Sequence, residues 1–223
     1  MPTTTPVHAP PRILLTGFDP FGGALVNPSW LAVRALHGRQ IRGHRVVAAQ
    51  LPTVYGASLK VLRQLLRQHR PALVVCVGQA GGRRSISLER VAINVNDAPR
   101  ADNAGAQPVD TPVVPGGPAA YFSTLPIKAM LQALQGECLP AEVSQTAGTF
   151  VCNHVFYGLM HELAIRPAFK RTRGGFIHVP WLPEQGSPGM ALEDMVKGLH
   201  VALRCALALP EGPGLTVAAG ATH

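Results

Sequence analysis

The sequence predicts an α/β fold, a three-layer α/β/α sandwich built on a mostly parallel mixed sheet in a single domain. Short apolar runs that read as buried strands alternate with stretches whose apolar residues recur at helical spacing, the pattern of strand–helix–strand units. The run at 73–78 is continuously apolar, as a central parallel strand covered on both faces must be. A chain of 223 residues, 47% hydrophobic and 14% charged, has the length and composition for one sizeable core.

Taken in order, residues 1–11 are rich in Pro and Thr, lack the apolar stretch of a signal peptide and are expected to be a mobile tail. Residues 12–17 form the first strand, which breaks into a turn-rich loop at 18–23 carrying Phe18 and Phe21. Gly17 and Gly22 have the spacing of a phosphate-binding loop, but Gly23-Ala24 stands where Lys-Ser/Thr is required, so that reading fails. Asn27-Pro28-Ser29 is a helix start, with Asn as cap and Pro at the first position, and the helix runs over 30–36. A second strand follows at 46–50, then a helix defined by Leu59, Leu62, Leu65 and Leu66 that ends before Pro71. The strand at 73–78 leads into a tight loop, Gln79-Ala80-Gly81-Gly82, which lacks dinucleotide-binding spacing.

Glu89 opens a strand-like segment over 89–95, and 96–117 is a long polar loop of the kind that often carries function. Residues 119–135 read as a helix that Pro126 should shorten or kink, 141–144 as an extended run, and 152–165 as an amphipathic helix headed by Cys152. The last strand is 174–180, and Ser187-Pro188 is expected to cap a final helix over 190–207. The domain therefore spans 12–208, with a second mobile tail at 209–223.

The four cysteines (Cys76, Cys138, Cys152, Cys205) form no C-x-x-C pair, which argues against a zinc cage or disulfide framework and for a reducing cytoplasm. The formal charge of +8 is spread along the chain with no lysine-rich run, so nucleic acid is not the expected partner. No apolar run is long enough to span a bilayer.

Chemistry concentrates at 144–154. A thiol at a helix N-terminus sits beside unpaired N–H groups and the positive end of the helix dipole, which favour a nucleophilic thiolate and can receive an oxyanion. A buried structural cysteine is the competing reading of Cys152. Such a nucleophile needs a base. Among the nine histidines His178 alone ends a predicted strand, although position alone fits a structural histidine equally well. His161-Glu162 begins a zinc-protease motif, but Ile165 replaces the second histidine.

Seven motifs in order then carry a resemblance: LLTGFDPFGG (14–23), NPSW (27–30), GQAGGR (78–83), ERVAINV (89–95), YFSTLPIK (121–128), TAGTFVCN (146–153) and GFIHVP (175–180). Together they resemble the pyroglutamyl peptidase I family of cysteine peptidases over about residues 12 to 207. The resemblance implies cleavage of N-terminal pyroglutamate from peptides through a thioester, by a triad of Cys152, His178 and Glu89. It implies no cofactor and no metal, peptides as partners, and assembly into a homo-oligomer, a dimer or tetramer. The family's pocket positions fall on Phe18, Phe21, Asn27, Thr53, Gln79, Phe150 and Val151, with Phe18 and Phe21 expected to sandwich the lactam. One segment departs from the family's usual DARIPDN: here 97–103 reads DAPRADN, so Arg100 is displaced by one position and Pro99 stands in its place. That departure motivates an alternative, a catalytically weakened pyroglutamyl-peptide binding protein of the same fold.

Overall fold

The protein is described by a computed structural model that covers residues 10–209 together with 218 and 219. The expected tails fall almost wholly outside the described residues. Seven strands form one sheet in the order β2-β3-β1-β4-β9-β5-β8, using β1 (Arg12–Phe18), β2 (Gln40–Ile41), β3 (His44–Leu51), β4 (Leu73–Gln79), β5 (Ile86–Glu89), β8 (Ala141–Ser144) and β9 (Arg173–Val179). β3, β1, β4 and β9 run parallel, β2 and β5 are antiparallel to their neighbours β3 and β9, and β8 is parallel to β5. A separate antiparallel pair joins β6 (Val91–Ile93) to β7 (Ala120–Phe122).

The period-2 alternation of the strands sorts the core into two halves. Ile13, Leu15, Val75 and Val77 point to one face, where they meet α1 (Pro28–Ala35), α3 (Ile127–Gly136) and α5 (Leu192–Ala208). Leu14, Val74, Cys76 and Phe176 point to the other, beneath α2 (Ala57–His69) and α4 (Val151–Ile165). The result is the three-layer sandwich expected from the alternation of elements.

Local chemistry sets the helix ends. Asn27 caps α1, its side chain accepting from the Ser29 N–H, and Pro28 opens the helix. α2 closes on Arg70, which takes a left-handed conformation (φ 41°) ahead of Pro71.

Four expectations need correction. The helix predicted over 119–135 begins only after Pro126, because Ala120–Phe122 is drawn into β7 against β6. The single segment 89–95 is two strands: Glu89 ends β5 rather than opening a strand, and the chain changes sheets at Arg90. Ser187-Pro188 does not cap the last helix; its peptide bond is cis, and Ala191 occupies the cap position of α5. Finally, α4 is not amphipathic. It is buried from Asn153 through Met160, wedged between the sheet, α2 and the β6–β7 pair.

Candidate active site

Register brings the chemistry to one place. β4 and β9 pair Gly78 with His178, while antiparallel β5 sets Ser87 opposite His178 and Glu89 opposite Phe176. Alternation then directs His178, Phe176 and Glu89 to the same face of the sheet, the face covered by α4. His178 Nδ1 lies 2.7 Å from Glu89 Oε1, both side chains buried, so the ring donates from Nδ1 and keeps Nε2 for other work.

Glu89 has a second partner that sequence reasoning missed. Arg83 donates through Nη1 to the same Oε1 at 2.7 Å and through Nη2 to the Thr146 carbonyl at 3.2 Å. Its one signal in the sequence is its place at the end of GQAGGR (78–83), and no role attaches to it there because a charged residue after Gly81-Gly82 reads as ordinary loop. Burial opposes ionisation of Glu89, but the hydrogen bonds and charges of His178 and Arg83 outweigh it and hold the carboxyl below its usual range.

Cys152 is the second residue of α4 and half-buried. Its sulfur lies only 2.8 Å from where a Cβ on Gly78 would sit, over the register partner of His178. No side chain caps α4, and the first helical bond runs from the His154 N–H to the Phe150 carbonyl. The earlier N–H groups of that turn are therefore available to an anion. Burial and the Glu89 carboxylate push the thiol up to about 12 while Arg83 opposes them, so a nucleophilic role for this sulfur would call for a base. The glycine at 78 follows from this contact. Gly78→Ala would strike both the sulfur and the Phe176 ring, each within 2.9 Å of the added carbon. Turnover is expected to fall about a hundredfold, since a displacement of about 1 Å has effects of that size; a variant with more than half of the wild-type kcat/KM would refute this placement.

Asn153 anchors the head of α4 by accepting from the Ile93 N–H (3.0 Å) and donating to the Ile93 and Val95 carbonyls (2.9 Å each). His154 links it to two further segments, accepting the Gly56 N–H at Nε2 (3.1 Å) and meeting Asn96 Oδ1 from Nδ1 (2.9 Å). Burial, aided by Arg63, lowers His154 to about 4. The folded protein thus refuses a proton that the unfolded chain accepts near 6.5. Stability is full above that pH and declines as pH falls toward 4, by about 2 kcal/mol at pH 5. Urea midpoints between pH 7 and 5 should show this slope, and His154→Gln should flatten it; an unchanged slope in the variant would assign it elsewhere.

Beside these groups opens a cleft of about 880 Å³ whose walls include Phe21, Gln79, Pro99, Arg100, Phe150 and Trp181. Phe21 faces Phe150 with ring centroids 6.1 Å apart, and Tyr55 packs edge-on to Phe150 at 5.7 Å. Gln79 Oε1 is buried with no hydrogen-bond partner among the described residues. The other predicted pocket residues sit further back. Phe18 is only 2% exposed and packs on Phe176, so it offers no open face opposite Phe21. Asn27 and Thr53, both buried, donate to the Asp19 carbonyl at 2.9 and 3.2 Å and so shape the Phe21 loop from behind. Val151 is buried in the first turn of α4. Arg100 is exposed on the cleft wall with its guanidinium near Gly22, so the displaced arginine does reach this cleft. The loop at 96–117 is tied down by the Asn96–Thr111 bridge and by Asp102, which accepts from the Tyr55, Ala104 and Ala106 N–H groups.

Glu162 is engaged structurally, ion-paired to Arg63 at 2.7 Å and to Arg166. Among the described residues no helix is long and apolar enough to cross a membrane.

The chain is similar to known proteins over nearly all of its described length. Residues 11–208 match the profile of the pyroglutamyl peptidase family. A pyrrolidone-carboxylate peptidase of Cupriavidus taiwanensis is 60% identical over 88% of this chain and 93% of its own length. One from Erwinia tasmaniensis is 54% identical over 95% and 99%. The crystal structure of pyroglutamyl peptidase I from Bacillus amyloliquefaciens superposes with a TM-score of 0.87 at 50% identity, covering 89% of this chain and 98% of that one.

Proposed function

The chain belongs to the pyroglutamyl peptidase family, and from that premise we propose that it removes N-terminal pyroglutamate from peptides with Cys152 as nucleophile, His178 as base and Glu89 as the group that orients and charge-balances the imidazole. The observation that carries the assignment is the buried 2.7 Å bond between His178 and Glu89, next to a sulfur at the head of an uncapped helix. His178 takes the thiol proton as sulfur attacks the pyroglutamyl carbonyl. The oxyanion forms against N–H groups in the first turn of α4, with that of Cys152 the first candidate. His178 then returns the proton to the departing amine, and water, activated by the same imidazole, hydrolyses the thioester.

Pyroglutamate is a flat lactam without a charged amine. Phe21 and Phe150 supply apolar faces for its ring, and the unpaired Gln79 Oε1 supplies an acceptor for its N–H, a bond that a buried orphan oxygen otherwise lacks. The binding-protein alternative is not favoured, because the relatives carry peptidase names and all three reacting groups are present.

Residues 12–208 then form the catalytic domain. Its setting is the cytoplasm, where a sulfur nucleophile stays reduced, and its assembly a homo-oligomer, as the resemblance implies. The test is a chromogenic pyroglutamyl amide beside the prolyl amide, which has a charged amine in place of the lactam. The first should be hydrolysed and the second not, with thiol alkylation abolishing turnover and substrate protecting against it. Equal hydrolysis of both amides would refute the lactam pocket.

A further inference from the structure

We infer that the end of the cleft bounded by Trp181 and Leu25 binds the residue that follows pyroglutamate and receives bulky apolar side chains there, an assignment that rests on the function proposed above. A five-membered lactam fills only part of about 880 Å³. The chemistry assigns the two ends. The lactam belongs where Phe21, Phe150 and Gln79 meet. The leaving amine must pass His178, which protonates it, and Trp181 is the residue to which the chain leads after Val179 and Pro180.

That end is built rather than incidental. The Trp181 indole lies flat enough on Gly81 that an added Cβ would come within 2.2 Å of its ring, so the backbone of the Gln79 loop and the indole share one surface. Gln185 ties this wall to the facing one: its Oε1 accepts from the Leu182 N–H (3.0 Å) and its Nε2 donates to the Val26 carbonyl (3.2 Å). Next to that bond Leu25 is 94% exposed on the cleft rim, a large apolar side chain to which folding gives no burial. Glu184 on the same wall opposes an acidic side chain at this position.

The experiment compares kcat/KM for pyroglutamyl-alanine, -leucine and -phenylalanine amides in the wild type, Leu25→Ser and Trp181→Ala. The phenylalanine-to-alanine ratio should fall about fivefold in Leu25→Ser and about tenfold in Trp181→Ala, the scale expected when part of a side chain loses its apolar contact. Leu25→Ser removes no buried group, so it keeps the test open if Trp181→Ala fails to fold. Ratios unchanged in Leu25→Ser would overturn the inference, as would a shift in association state on sedimentation without a shift in ratio, which would make Leu25 a contact between copies. Absence of turnover on every pyroglutamyl substrate by the wild type would instead remove the proposed function itself.

Discussion

Cys152→Ser is expected to lower kcat/KM on a pyroglutamyl amide by about four orders of magnitude or more, while a pyroglutamyl ligand still binds. The substitution keeps the position at the head of α4 and the room beside Gly78, and changes only the attacking atom. The environment already resists ionisation: burial and the nearby Glu89 carboxylate push even the thiol up to about 12. A hydroxyl is harder still to deprotonate and less nucleophilic, so the same imidazole cannot drive the attack at a useful rate. What remains is the contribution of the pocket and the helix-head N–H groups, which in other hydrolases survives loss of the nucleophile. The measurement is release of chromophore together with trapping of the acyl-enzyme by a competing amine. Retention of more than about 1% of the wild-type rate would assign the nucleophile elsewhere.

The sequence made the proposed nucleophile readable but not its surroundings. Cys152 and His178 stand at element ends that periodicity and glycine placement define, and the continuous apolar run at 73–78 identified the strand that lies beneath the sulfur. Glu89 was harder to place because Ile86–Glu89 and Val91–Ile93 are separated by one residue, and nothing in their composition signals that the chain leaves one sheet for another at Arg90. The burial of α4 was hidden by Asn153, His154 and Glu162, which read as a polar face. Each is buried, and apart from Arg166 beside Glu162 the bonds that satisfy it come from residues 58 to 99 positions away, beyond any local pattern. Tyr121 and Phe122 show the opposite failure. Their β preference was outweighed by the helical pattern beginning beyond Pro126, and only pairing with β6 decides it. The aromatic surface of the cleft was half legible: Phe21 lines it, but its facing ring is Phe150, while Phe18 went to the core because strand alternation carries it beneath the sheet onto Phe176.

Glu89→Gln is expected to lower kcat by about two to three orders of magnitude with little change in KM, a smaller loss than the roughly ten-thousandfold one seen when a triad carboxamide holds histidine in the wrong tautomer. The reason lies in the shared oxygen. Arg83 and His178 both donate to Oε1, so the amide oxygen of glutamine is held toward them and its NH2 group is kept away from the guanidinium. The ring therefore keeps its proton on Nδ1, and geometry survives. Charge does not. In the proposed mechanism His178 takes the thiol proton, the imidazolium then faces the part-buried Arg83 guanidinium, and only the buried carboxylate between them makes that arrangement affordable. The same charge appears in stability with a definite sign. Because the folded carboxyl is held below its ordinary value, Glu89 contributes above about pH 4.3, and that contribution is lost as pH falls through the folded value. Urea midpoints of wild type and Glu89→Gln should thus lie apart at pH 7 and converge in acid. A kcat loss accompanied by a constant stability gap across pH would mean that Glu89 acts on His178 by position alone, with no contribution from its charge.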